Sequence, residues 1–214
     1  MRKKYIFIVA AVLFFILVVG GIAYLKYMNS DMVKGSNSKK FYLRNQPYVG
    51  SKNAKNIIVE FSDYRCPWCK KFQQEIYPKI KKDLVDTGKT KFYYVNFTVL
   101  GPNSAKAANA AYYIYQKYPR SFFAFHDALF KAQGDEKKNW VTNDLLAKKA
   151  EQTVPNLDRK ELLSVINSDK YKDQIKNIDS DVIKIGVKQT PTLMVNNKVV
   201  ENPYDYEKIK ALIH

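Results

Sequence analysis

The chain has 214 residues, 36 Lys and Arg against 20 Asp and Glu, a formal charge of +16, and only two cysteines. That length suits one domain with an insertion or two small ones, and 46% hydrophobic residues can build a core without structural disulfides. The basic balance raises nucleic acid as a partner, but the lysines are dispersed, arginines are few, and no zinc-finger spacing or RNP-like aromatic motif accompanies them, which argues against it.

Residues 1–4 form a basic tip with Arg2, Lys3 and Lys4. Residues 5–25 carry no charge and are long enough to span a bilayer as a helix. The preceding basic cluster predicts a cytoplasmic N-terminus, an anchor in the lipid bilayer through residues 5–25, and an extracytoplasmic remainder. A cleaved signal peptide is the alternative, for which Val19-Gly20-Gly21 is a mediocre processing site. A lysine-covered exterior suits work beside anionic lipid or cell wall. Residues 26–40, with Gly35, Ser36, Asn37 and Ser38, read as a flexible tether.

The stretch 41–48 reads as a lead-in strand and Ile57–Ser62 as a central one. Cys69, Phe72, Ile76, Ile80 and Leu84 then recur at helical spacing, with Pro78 predicting a kink and Gly88 an end. KFYYVNFTVL, from Lys91 to Leu100, has the composition of a second central strand. From Ser104 the chain turns helical. Ser104, Ser121 and Thr142 are candidate caps, Leu157–Asn167 is a short amphipathic piece, and a stripe from Tyr171 to Ile185 closes at Gly186. TLMVNNKVV predicts a hairpin turning at Asn196-Asn197, and Tyr204–Ile213 a terminal helix.

Both cysteines fall in FSDYRCPWCKKF, where a strand delivers Cys66 and Cys69 to the first turn of a helix. They are too close together to close a stabilising loop, which argues for reaction rather than architecture. The unpaired N–H groups and positive dipole end of a helix favour a thiolate, so this pair can cycle between dithiol and disulfide. The strand alternates, placing Glu60 and Ser62 on one face and Val59 and Phe61 on the other.

VEFSDYRCPWC, the long helical stretch and GVKQTPTLMVNN, in that order, make residues 41–213 resemble the DsbA-like thiol–disulfide oxidoreductases, particularly the membrane-anchored Gram-positive members. The resemblance implies an α/β thioredoxin fold with an inserted helical domain, following one N-terminal transmembrane helix. The thioredoxin-like part would be 41–103 with 181–214, and the insertion 104–180. It further implies a monomeric enzyme that oxidises reduced, unfolded exported proteins and is reoxidised by a DsbB-like quinone-reducing membrane protein. Its only redox group would be the Cys66–Cys69 disulfide, with no added cofactor and no metal.

On the same basis Cys66 is the exposed, nucleophilic cysteine and Cys69 the more buried one. Pro191 matches the family's cis-proline, which would set the Thr190 backbone beside the sulfurs to pair with an extended substrate. Glu60 matches a buried acid that exchanges a proton with Cys69. Pro67 and Trp68 occupy the tuning positions between the cysteines. Trp68 departs from the histidine often found there and cannot carry charge, which leaves the potential open; it could instead offer an apolar docking surface. Two other readings stand beside this one: a reductase or isomerase of the same fold, and a membrane-anchored metallochaperone. The latter lacks the extra Cys or His ligands such sites recruit, since His126 reads as a packing or surface residue and His214 is terminal.

Overall fold

The computed structural model describes residues 2–30 and 32–214, excluding the side chains at 2–4, 6, 7, 9, 10, 23 and 26–30. Helix α1 runs from Arg2 to Ser30. The anchor expected at 5–25 falls partly on side chains outside the described set, and among the described residues no helix is long and apolar enough to cross a membrane. Those apolar side chains of α1 that are described, such as Leu13, Phe14, Ile16 and Leu17, are exposed.

Strands β1 (Met32–Lys34) and β2 (Lys40–Tyr42) form an antiparallel hairpin, so part of the expected tether is ordered structure. The reason is burial. Val33 and Phe41 pack into the core that also holds Val59, Phe61 and Ile185. Gly35 passes so close to α8 (Lys172–Lys184) that a Cβ there would sit 1.8 Å from the Ile185 carbonyl oxygen. Asn37 then donates to the Lys184 carbonyl across 2.7 Å.

Strand β3 (Tyr48–Val49) joins β4 (Asn56–Ser62), β5 (Thr90–Asn96), β6 (Thr192–Val195) and β7 (Lys198–Val200) in a sheet of order β3-β5-β4-β6-β7. β4 and β5 are parallel, and β6 is antiparallel to β4. The expected lead-in strand is thus two short pieces serving different sheets. The central strands are buried on both faces, and alternation sorts their side chains. Val59 and Phe61 face α8 and the β1–β2 hairpin. Ile58, Phe92, Leu193 and Val195 face the helix that follows the cysteines, together with α9 (Tyr206–Ala211). The β6–β7 turn places Asn196 and Asn197 at φ 49° and 71°, the left-handed pair of a type I′ turn.

The helix after the cysteines is broken: α2 (Pro67–Glu75) stops, α3 (Tyr77–Ile80) restarts with Pro78 near its head, and a π-helical turn covers Lys81–Val85. Pro78 has no N–H to give to the preceding turn, so the interruption follows from covalent structure. Helices α4 (Pro102–Lys117), α5 (Phe122–Ala132), α6 (Asn143–Thr153) and α7 (Arg159–Ser168) form a cluster whose core, including Ile114, Phe125, Leu129, Leu146 and Leu162, continues into Tyr64, Cys66, Cys69 and Tyr94. Thr142 caps α6 by accepting from the Leu145 N–H, as its spacing predicts. Ser104 does not cap α4. The cap position is Gly101, at φ 87°, with Pro102 opening the helix, because proline at the first position forgoes only an N–H that would lack a partner anyway. Helix α8 leaves this cluster and packs Val182 and Ile185 onto the sheet. The result is a mixed α/β fold with a helical insertion.

Candidate active site

Strand β4 ends at Ser62, and residues 63–65 carry the chain across the sheet's end into α2. Asp63, almost fully buried, shapes this turn. Its Oδ1 accepts from the Arg65 N–H (2.8 Å) and its Oδ2 from the Leu100 N–H (3.0 Å). Burial raises its carboxyl above the usual range, and the backbone donors pull it partly back. Arg65 reaches over to the carbonyls of Leu100 (2.7 Å) and Glu136 (2.5 Å).

Cys66 is the N-cap of α2, at φ −75° and ψ 118°, with Pro67 as the first helical residue. Its Sγ accepts from the Cys69 N–H at 3.4 Å, and its thiol points to the Thr190 carbonyl at 3.5 Å. Both cysteines are free thiols in this structure. The hydrogen bond from the Cys69 thiol lowers the Cys66 pKa most, ahead of the Thr190 side chain and the Cys69 and Trp68 N–H groups, and brings it to about 6 despite partial burial. Cys69 moves the opposite way: burial, then the hydrogen bond to Cys66 and its charge, hold its thiol well above the ordinary range. The pair therefore has one ready thiolate and one reluctant one.

Cys66 is only 5% exposed, against the exposed position expected for it. The segment at Thr190 lies against its sulfur, and the Thr190–Pro191 bond is cis. The exposed members of the motif are Pro67 and Trp68, the latter at 61%. Tyr204 fixes the Trp68 backbone by donating its hydroxyl to the Trp68 carbonyl (2.8 Å), and the two rings meet edge to face at 6.4 Å. Lys71 Nζ stands 5.8 Å from the Trp68 ring centroid and 5.4 Å from that of Tyr204.

Beneath the cysteines Glu60 is fully buried. Burial raises its pKa to about 8; the Ser62 hydroxyl and the Gln73 amide draw it down, and the nearby Cys66 charge adds to the rise. Gln73 Nε2 donates to Glu60 Oε2 at 2.6 Å. The structure thus brings Cys66, Cys69, Glu60 and Thr190 together, with Pro67, Trp68 and Pro191 in the backbone segments that carry them. His126 lies in an aromatic nest of Tyr64, Tyr94, Phe122 and Phe130, with its Nδ1 3.1 Å from the Tyr64 hydroxyl. Burial depresses its pKa to about 3, so it stays neutral. Among the described residues no group of three or more His, Cys, Asp or Glu converges as a metal site.

Several supporting residues are invisible to motif reading. Gln73 sits four residues after Cys69, and its place on the buried stripe of α2 was an available signal. Gln133 and Tyr204 carried none, because their partners are backbone groups supplied by distant segments, and the same holds for the bond of Asp63 to the Leu100 N–H, though not for its local bond to Arg65.

Residues 43–214 match the family model described as Thioredoxin. The chain is 38% identical over 185 residues to the Bacillus subtilis disulfide bond formation protein D, covering 86% of this chain and 81% of that protein. It is 28% identical over 198 residues to the probable disulfide bond formation protein D of Bacillus anthracis, covering 92% and 89%. Among solved structures, oxidised BdbD from Bacillus subtilis superposes with a TM-score of 0.78 at 36% identity, covering 85% of this chain and 96% of that one. DsbA from Chlamydia trachomatis gives 0.70 at 26% identity, covering 79% and 90%.

Proposed function

We propose, for a chain that belongs to the thioredoxin family and is a DsbA-like protein-disulfide oxidoreductase, that it oxidises cysteine pairs of exported proteins through Cys66 and Cys69 on the outer side of the cell membrane. The observation that carries this reading is the placing of the two sulfurs, Cys66 capping α2 with the Cys69 N–H on its Sγ and Cys69 fully buried, which shifts the two thiols in opposite directions.

In the oxidised enzyme a substrate thiolate attacks Cys66 Sγ. The Cys66–Cys69 bond breaks, a mixed disulfide forms, and the electron pair leaves on Cys69. That sulfur holds a charge poorly in its buried site and takes a proton, for which Glu60, with a pKa near 8, is the neighbouring source. A second substrate thiolate then attacks the substrate sulfur of the mixed disulfide. The substrate leaves with its new disulfide, and Cys66 departs as a thiolate. A low pKa makes Cys66 a good leaving group and stabilises the reduced enzyme, both of which an oxidant needs. The relatives' names, as disulfide bond formation proteins, support this direction.

The charge-free segment of α1 and its exposed apolar side chains support a membrane anchor, with the basic tip in the cytoplasm. A DsbB-like quinone-reducing membrane protein would return the dithiol to the disulfide. The backbone at Thr190, beside the Cys66 sulfur, would receive the extended substrate.

The equilibrium of Cys66–Cys69 against a glutathione buffer tests the direction. A potential in the range of about −120 to −200 mV is expected, whereas one near the thioredoxin value of about −270 mV would overturn the oxidase assignment.

A further inference from the structure

Glu60 is held asymmetrically. Its Oε2 takes a 2.6 Å hydrogen bond from Gln73 Nε2, while its Oε1 has no partner at hydrogen-bond distance among the described residues; the buried Ser62 hydroxyl, also without a partner at that distance, is near enough to lower the carboxyl pKa. Gln73 is itself buried at 5% exposure, so the bond is made away from bulk water. The far side of Gln73 helps line a groove of about 540 Å³ between α2, α3 and α5, with Tyr77, Phe123, Asp127 and Phe130. An unpaired buried carboxyl oxygen costs stability, and a hydrogen bond donated to a carboxylate favours its ionised form.

We propose that Gln73 is a positioning residue for the thiol–disulfide reaction: it holds the Glu60 carboxyl by Oε2 and leaves Oε1 as the oxygen that exchanges a proton with Cys69. This rests on the reading of Glu60 given above. When the Cys66–Cys69 bond breaks, the proton passes from Glu60 Oε1 to the Cys69 sulfur. The carboxylate left behind keeps the Gln73 bond until solvent returns a proton. The other titratable groups acting on this place are Cys66 and Cys69, Tyr64, Tyr77 on α3, Tyr94 on β5, and Tyr204. Burial raises the pKa of each of these phenols and of the Cys69 thiol, which leaves Cys66 and Glu60 as the groups that change charge near neutral pH.

The test uses the full-length chain in a mild detergent, with carboxyl-labelled glutamate read by NMR and the Glu60 signal assigned by its loss in Glu60→Gln. Gln73→Met keeps the shape and removes the donor. It is expected to raise the Glu60 midpoint by about one pH unit or more, and to move the alkaline limb of the pH–rate profile for reduction by a substrate thiol upward with it. In a Glu60→Gln background the same substitution should leave that profile unchanged. Should Gln73→Met fail to fold, Gln73→Asn, whose amide falls short by one methylene, must raise the midpoint too. An unchanged midpoint in a folded Gln73 variant overturns the proposal. An unchanged pH–rate profile in Glu60→Gln overturns instead the reading of Glu60 on which it rests.

Discussion

Gln133 binds the backbone of the cysteine motif from 67 residues away, its Nε2 donating to the Cys66 carbonyl at 3.1 Å. The same amide donates to the Tyr64 carbonyl at 2.6 Å, and the Gln133 carbonyl accepts from Lys70 Nζ at 2.9 Å. Gln133 closes α5, so the helical insertion is tied directly to the turn that aims Cys66. Gln133→Ala should cost about 1–3 kcal/mol, since the buried Tyr64 carbonyl loses its donor and the Cys66 carbonyl keeps only the Lys70 N–H. It should also alter the Cys66 thiolate midpoint. Chemical denaturation and thiolate absorbance check the two effects, and a stable variant with an unchanged midpoint would remove Gln133 from this role.

Cys66 in the reduced protein should titrate near pH 6, seen as thiolate absorbance in the ultraviolet. Cys69→Ala removes the largest contribution to that low value, so the midpoint should rise. It should stay below the ordinary 9.0, because the backbone N–H donors and the Thr190 side chain remain. A midpoint that does not move on removal of Cys69 would contradict the thiol–thiol hydrogen bond as the main cause.

The roles of the two cysteines should separate under substitution. Cys66→Ser should abolish oxidation of a reduced model protein. Cys69→Ser should accumulate the mixed disulfide with Cys66, visible as a reducible adduct on gels. Full oxidising activity in Cys66→Ser would sink the assignment of the attacked sulfur.

Two buried groups predict opposite pH windows for stability. Glu60 has its pKa raised from 4.5 to about 8, so it lets the fold lose stability as pH rises between those values. Glu60→Gln should flatten that limb. His126 has its pKa lowered from 6.5 to about 3, so its contribution is present above 6.5 and is lost as pH falls toward 3. His126→Leu should flatten the acid limb. Each slope is bounded at about 1.4 kcal/mol per pH unit. Denaturation midpoints from about pH 3 to about pH 8, the span of both windows, measure them, and parallel curves for wild type and variant would rule out that group.

Gly35→Ala should detach the β1–β2 hairpin, because its new methyl would meet the Ile185 carbonyl oxygen at 1.8 Å. Forcing that contact should cost on the order of 1–3 kcal/mol, with faster proteolysis between β1 and β2 than in the wild type. Equal protease resistance would show that this segment is not docked as described.

Much of this protein was legible along the chain because it depends on local rules. The period of α2 and its proline break, the alternation in β4, the Asn196-Asn197 turn, the Thr142 cap and the Cys66–Cys69 spacing each follow from neighbouring residues alone. Local rules also misled: Ser36 to Ser38 look like a linker, yet Val33 and Phe41 on either side are buried by α8 and the sheet. Ser104 looks like a cap, but Gly101 and Pro102 begin the helix first. What only the tertiary structure decided is the asymmetry of the two thiols. A cysteine's pKa depends on burial and on which donors face its sulfur, and one of those donors, the Thr190 side chain, comes from a segment 124 residues from Cys66. The sequence by itself determined that there is one reactive pair, placed at the head of a helix. Folding decided which sulfur carries the charge, because desolvation and hydrogen-bond geometry exist only once distant segments meet.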